Sequence, residues 1–163
     1  MSPGLPDFRR WSRALSKAVR AVRSARASRA HDVADRMGLA LRTYEHFEGG
    51  GGRLNLERIF AFAAATDSDP FAILAAALIQ APELAARSAR NKLVLTFMLA
   101  LQEFDTEVGD DIDLLETGVL LGAFTQMFAA LADEAKRRRE TITAVEQRAK
   151  TWGAHIPHPS AED

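Results

Sequence analysis

The chain has 163 residues, 47% of them hydrophobic and 26% charged, which is enough to bury a core as one domain or two small ones. It contains no cysteine, and this excludes a disulfide framework, a thiolate zinc site and a cysteine nucleophile. The net charge of −1 hides an asymmetry: residues 1–65 carry twelve Arg and Lys against six Asp and Glu, whereas residues 66–163 carry nine against sixteen.

Residues 1–6 lack a charged region followed by an apolar run, so no signal peptide is expected. Val19, Val22 and Ala25 form the apolar stripe of a first helix. Val33, Ala34 and Met37 mark one face of a short second helix, and Gly38 follows where a left-handed cap is needed. Ala40, Tyr44 and Phe47 repeat at +4 and +3, which predicts a third helix starting about two residues past that glycine. Two short helices joined by a tight turn containing Gly are the arrangement that lays its second helix into a major groove. Gly49–Gly52 then form a loop, either flexible or open to a phosphate, and Leu56, Ile59, Phe60 and Ala63 give a fourth helix its stripe. Ser68 or Asp69 can cap a fifth helix with Pro70 at its first position, leading into Phe71, Ile73 and Leu74.

Pro82 interrupts the chain. Glu83 to Phe104 reads as one helix, apolar nearly all round from Leu93 to Leu101 and therefore expected to be buried on several sides. Gly109 with Asp110, Asp111 and Asp113 forms an acidic connector. Thr117 to about Lys150 then reads as one long helix in which Leu121, Phe124, Phe128, Leu131 and Ala135 recur at alternating steps of three and four. Ile142, Val145 and Ala149 continue this seam, and residues 153–163 are expected to fray. The expected plan is all-α. A five-helix domain occupies residues 1–80 with its motif at 28–50, and a helical dimerisation domain occupies residues 81–152. The apolar surface of the second part exceeds what one copy hides, so a homodimer is expected with Leu121, Phe124, Phe128 and Leu131 at its interface.

Through Val19–Arg23, Val33–Gly38, Tyr44, Phe47–Glu48 and Leu56–Ala63, without a gap, the chain resembles the Cro/phage-repressor (xenobiotic-response-element, XRE) family of bacterial transcriptional regulators. The resemblance implies a cytoplasmic, nucleoid-associated protein that binds double-stranded DNA as a dimer on pseudo-palindromic operators. It also implies a structural ion pair between Arg23 and Glu48. Three slots and one loop depart from the family: Arg29 and Ala30 replace the usual Ser and Gln, Ala40 replaces a capping Ser or Thr, and Gly49–Gly52 replace the usual loop that holds a Lys or Arg and a Pro. These departures leave open a protein-interaction module, or an antitoxin-like protein, built on the same fold.

With Tyr44 and Phe47 turned inward, the helical wheel puts Leu41, Arg42, Glu45 and His46 on the outward face as candidate base readers. Arg42 can donate two bonds to guanine, Glu45 can accept from cytosine, and Leu41 can touch a thymine methyl. Arg29, Thr43, Arg53 and Asn55 are the candidate contacts to the DNA backbone. A basic half of this kind suits a polyanion, since each phosphate neutralised releases counterions.

Other patterns are weaker. Asp105, Glu107, Asp110 and Glu116 loosely fit a calcium loop, but Asp110 stands where that loop requires Gly, so a solvated acidic connector is the better reading. His155 and His158 lack the third ligand that zinc needs. No catalytic constellation, metal site or cofactor motif is present, so a non-enzymatic protein without a cofactor is expected; the sequence names no small-molecule effector. The longest strongly apolar run is too short for a bilayer, which needs roughly 20 residues.

Overall fold

The structure is a computed structural model and describes residues 8–51 and 55–153. These residues form eight α-helices and one short 3-10 helix, with no strand among them. The chain divides into two compact units, residues 1–107 and residues 108–163.

In the first unit α1 (Phe8–Ala25) is central, packing along α5 (Pro70–Leu78) and α6 (Glu83–Arg87) and touching α3 (Leu41–Glu48). Helix α2 (Ala30–Arg36) leans on α3 and on α4 (Leu56–Ala65), which in turn rests on α5. Val19, Val22, Val33, Tyr44, Ile59, Phe62 and Ile73 meet at the centre with no exposed surface. The buried stripe of α1 is Ala14, Leu15, Ala18, Val19 and Val22, and Ala25 is exposed because the helix has passed the core by then. In α4 the inner face is Ile59, Phe62 and Ala63, while Leu56 and Phe60 are turned out. Phe60 instead meets the ring of Phe71 edge-on, with centroids 5.5 Å apart.

Helices α1 to α5 all end in the same way. A residue with positive φ follows each, and the next amide reaches back five residues to close the turn: Ser28 to Arg23, Leu39 to Ala34, Gly51 to His46, Ser68 to Ala63 and Ala81 to Ala76. Gly38 and Gly50 fill two of the left-handed positions, and Ala27, Asp67 and Gln80 fill the others.

Helix α6 packs on α1 and α5, so the first unit continues past residue 80. The single helix expected over Glu83–Phe104 is in fact two, α6 and α7 (Leu93–Val108). The break is built by side chains. Ser88 is buried and its hydroxyl donates to the Leu84 carbonyl at 2.7 Å, and Lys92 adopts φ +54° while its Nζ donates to Asp67 Oδ1 at 2.9 Å. Asp69 restarts the helix: its Oδ1 accepts from the amides of Phe71 and Ala72 at the head of α5, and its Oδ2 accepts from Val94 and Leu95 at the head of α7, both at 2.9 Å. The cover expected on several sides of α7 is also missing. No residue of α7 is buried, and Met98, Leu99, Leu101 and Phe104 are exposed.

In the second unit the acidic connector is a 3-10 helix, Gly109–Leu114, with Gly109 at φ +56°. Helix α8 runs unbroken for 37 residues, Thr117–Gly153. Its first turns, Thr117 to Ala132, contain no charged residue, and its apolar stripe is exposed.

Candidate nucleic-acid interface

Four residues, Met37 to Ala40, separate α2 from α3. Gly38 at φ +64° turns the chain out of α2 without the Cβ penalty of a left-handed L-residue, and Ala40 opens α3 in extended conformation with no side-chain cap. Helix α3 is amphipathic. Tyr44 and Glu48 are buried and Phe47 packs on the core, with its ring tilted against Tyr44 and Phe62. Leu41, Arg42, Glu45 and His46 are exposed, and Thr43 is half-buried between the two faces. The ring of His46 lies against Gly51, in the space that a Cβ at that position would need. Leu41, Arg42 and Glu45 therefore make up the part of the face that projects away from the loop.

Glu48 ties this helix to α1. Its Oε1 accepts from Arg23 Nε at 2.6 Å and from the Tyr44 hydroxyl at 2.8 Å, and its Oε2 accepts from Arg23 Nη2 at 3.2 Å. The Ser16 hydroxyl donates to the Glu48 carbonyl at 2.6 Å. A fork of this kind is bidentate and charge-assisted, so it fixes angle as well as distance. The Glu48 bond outweighs desolvation and raises the Arg23 guanidinium further above its ordinary range. Burial, and then donation to Glu48, push the Tyr44 phenol well above its ordinary value, so it stays a donor.

At Gly50 the glycine run also has a backbone reason. Gly50 has φ +78°, and a Cβ there would stand 3.1 Å from the Ser12 carbonyl oxygen and 3.3 Å from Ser16 Cβ. The loop thus passes tightly along α1. Beside it Arg13, Lys17 and Arg20, spaced four and three apart on the exposed face of α1, line a cleft of about 280 Å³ with Ser12, Ser16 and Gly49. The sequence carries this row only as a +4, +3 spacing of basic residues, upstream of the Val19 stripe that marks the first helix.

Among the candidate backbone contacts, Arg29 is exposed at the N-cap of α2 without a capping bond. Asn55 caps α4, its Oδ1 accepting from the Arg58 amide at 3.1 Å. Arg53 lies outside the described residues, as do Gly52, His155 and His158. Leu121, Phe124, Phe128 and Leu131 are all exposed on α8. Comparison of the chain with family models, curated proteins and solved structures returns no match. Among the described residues no group of three or more His, Asp or Glu side chains is placed to hold a metal, and no helix is long and apolar enough to cross a membrane.

Proposed function

We propose that the chain is a sequence-specific, DNA-binding transcriptional regulator of the phage-repressor-like (XRE) kind, acting as a homodimer on pseudo-palindromic operators. The observation that carries this reading is α3 itself. Its inner face is anchored by Tyr44, Phe47 and the Arg23–Glu48 fork, and its outer face offers Leu41, Arg42 and Glu45 to solvent immediately after the α2 turn. A helix held so rigidly presents base-reading side chains at a fixed angle. The flanking charge suits the same partner, because Arg13, Lys17, Arg20 and Arg29 are exposed in the basic part of the chain.

In this reading Arg42 contacts a guanine edge, supported by Leu41 and Glu45, with His46 at the rim. Arg29, Thr43, Arg53 and Asn55 serve the sugar-phosphate backbone. The homodimer is supported by four large side chains on α8 that stay exposed: Leu121 67%, Phe124 44%, Phe128 55% and Leu131 48%. Burying such side chains is worth about 1.5–3 kcal/mol each, so a second copy gains by covering them.

The test is genome-wide immunoprecipitation of the tagged protein followed by footprinting of the recovered sites. Sharp peaks sharing a pseudo-palindrome are expected. Arg42→Ala should lose roughly 1–3 kcal/mol of operator affinity and relax one base position per half-site. Peaks without a common sequence, or an unchanged footprint for Arg42→Ala, overturn the assignment.

A further inference from the structure

From Leu121 to Trp152 the stripe of α8 keeps alternating steps of three and four residues, giving ten positions of which nine are apolar and the tenth is Arg138. A period of 3.5 sustained over this length is the signature of a left-handed coiled coil. Taking the homodimer of the preceding section as its basis, we propose that α8 pairs with α8 of a second copy in antiparallel orientation, with Arg138 of each copy set against Ala135 of the other.

Charge and size select this arrangement. In a parallel pair every stripe residue faces its own counterpart, so two Arg138 guanidinium groups would meet in the seam. Phe124 and Phe128 would crowd their equivalents, while Ala135 and Ala149 would leave gaps opposite theirs. A void forfeits packing contacts and a like-charge contact costs free energy, so the parallel seam is wrong at several levels. The antiparallel alignment removes each fault. Phe124 then faces Ala149 and Phe128 faces Val145, so the two rings meet smaller side chains, while Leu131 faces Ile142 and Leu121 faces Trp152. All ten positions are used.

The register follows from the same residue. Sliding the pair by seven residues sets Arg138 against Phe128 or against Ile142 and leaves stripe residues at the ends without a counterpart. Opposite Ala135 the guanidinium has room, and Glu134 of its own chain already accepts from Arg138 Nε at 2.6 Å. The flanking positions agree: Glu134 comes beside Thr141, Met127 beside Arg148, Ala132 beside Arg139 and Thr125 beside Glu146, with no like charges in contact. A parallel pair would bring Glu134 beside Arg139 of the other copy, but an exposed rim pair is worth little against two charges facing each other in the seam.

The absence of cysteine makes a direct test available. Full-length Phe124→Cys and Ala149→Cys chains, carrying tags of different size, are expressed singly and together and then mildly oxidised. A disulfide needs Cα atoms within about 7 Å, whereas in the antiparallel pair the two positions 124 lie about 37 Å apart. The expected result is a mixed-size cross-linked dimer from co-expression and none from either chain alone, repeated with Phe128→Cys and Val145→Cys to guard against a folding defect in one pair. Cross-linking of Phe124→Cys with itself overturns the orientation. A species that sediments as a dimer but cross-links in no combination overturns α8 as the seam, and a wild-type chain that sediments as a monomer removes the dimer and this pairing together. Operator binding is titrated on the same samples: antiparallel cross-links in a protein that binds no DNA would keep the pairing and end only the regulatory reading.

Discussion

Glu48 answers a guanidinium and a phenol with one carboxylate, and the exposures of the ion pair, 25% for the Arg23 side chain and 12% for that of Glu48, decide how much its loss should cost. A fully buried pair stripped of one member costs roughly 3–5 kcal/mol, and partial solvent access puts this one near the lower end, about 3 kcal/mol. Glu48→Leu should therefore lose about that amount in urea unfolding, since Arg23 and Tyr44 are both left without their acceptor. Arg23→Leu with Glu48→Leu and Tyr44→Phe should recover most of the loss, because the buried guanidinium, carboxylate and phenol are removed together and only the part-buried Ser28 carbonyl loses a donor. A single substitution costing under about 0.5 kcal/mol would show that water already screens the fork. The two residues occupy slots that the family resemblance links, while the apolar spacing marks the third member, Tyr44, only as a core residue. Its hydroxyl reaches Glu48 one helical turn on, a spacing present in the sequence that hydrophobic patterning does not weigh.

Asp69 shows how far an element can depend on one distant side chain. Its role at the head of α5 follows from the Asp-Pro step, but the partner of its second oxygen lies 25 and 26 residues further on, beyond any local rule. For the same reason the break between α6 and α7 is not legible: Lys92 looks like an ordinary helix residue until Asp67, 25 residues earlier, is placed beside it, and the bond from Ser88 to Leu84 is one that Ser also makes inside unbroken helices. Helix ends divide similarly. Gly38 marks the end of α2, and Asp67 has the mild left-handed tendency of its residue type, whereas Ala27 and Gln80 take the same backbone conformation with nothing in their residue type to mark it. Each cap contributes about 0.5–2 kcal/mol, so Asp69→Ala, which removes two, should destabilise the first unit by about 1–4 kcal/mol. Asp69→Asn has one acceptor oxygen and should lose about half as much. Hydrogen exchange then separates the two helices, with faster exchange expected either at Phe71 and Ala72 or at Val94 and Leu95. Equal protection at both pairs in Asp69→Asn would contradict the shared cap.

For the whole molecule, the all-helical composition and the extent of α8 were readable because periodicity is a local property of the chain. The burial expected for α7 failed because an apolar sequence requires cover without specifying that its own chain supplies it. Phe128→Asp in α8 should abolish the dimer, lowering the sedimentation coefficient to that of a monomer while circular dichroism of the first unit is retained; an unchanged sedimentation coefficient would exclude this residue from the interface. The uncharged opening of α8 also ties the paired form to supply. If the exposed stripe is covered only by association, the paired species follows mass action, and at low copy number its concentration rises with the square of the number of chains made. Doubling expression would then raise the paired form nearly fourfold. A small change in synthesis or turnover would thus be amplified into a larger change in site occupancy, with no inducing ligand required.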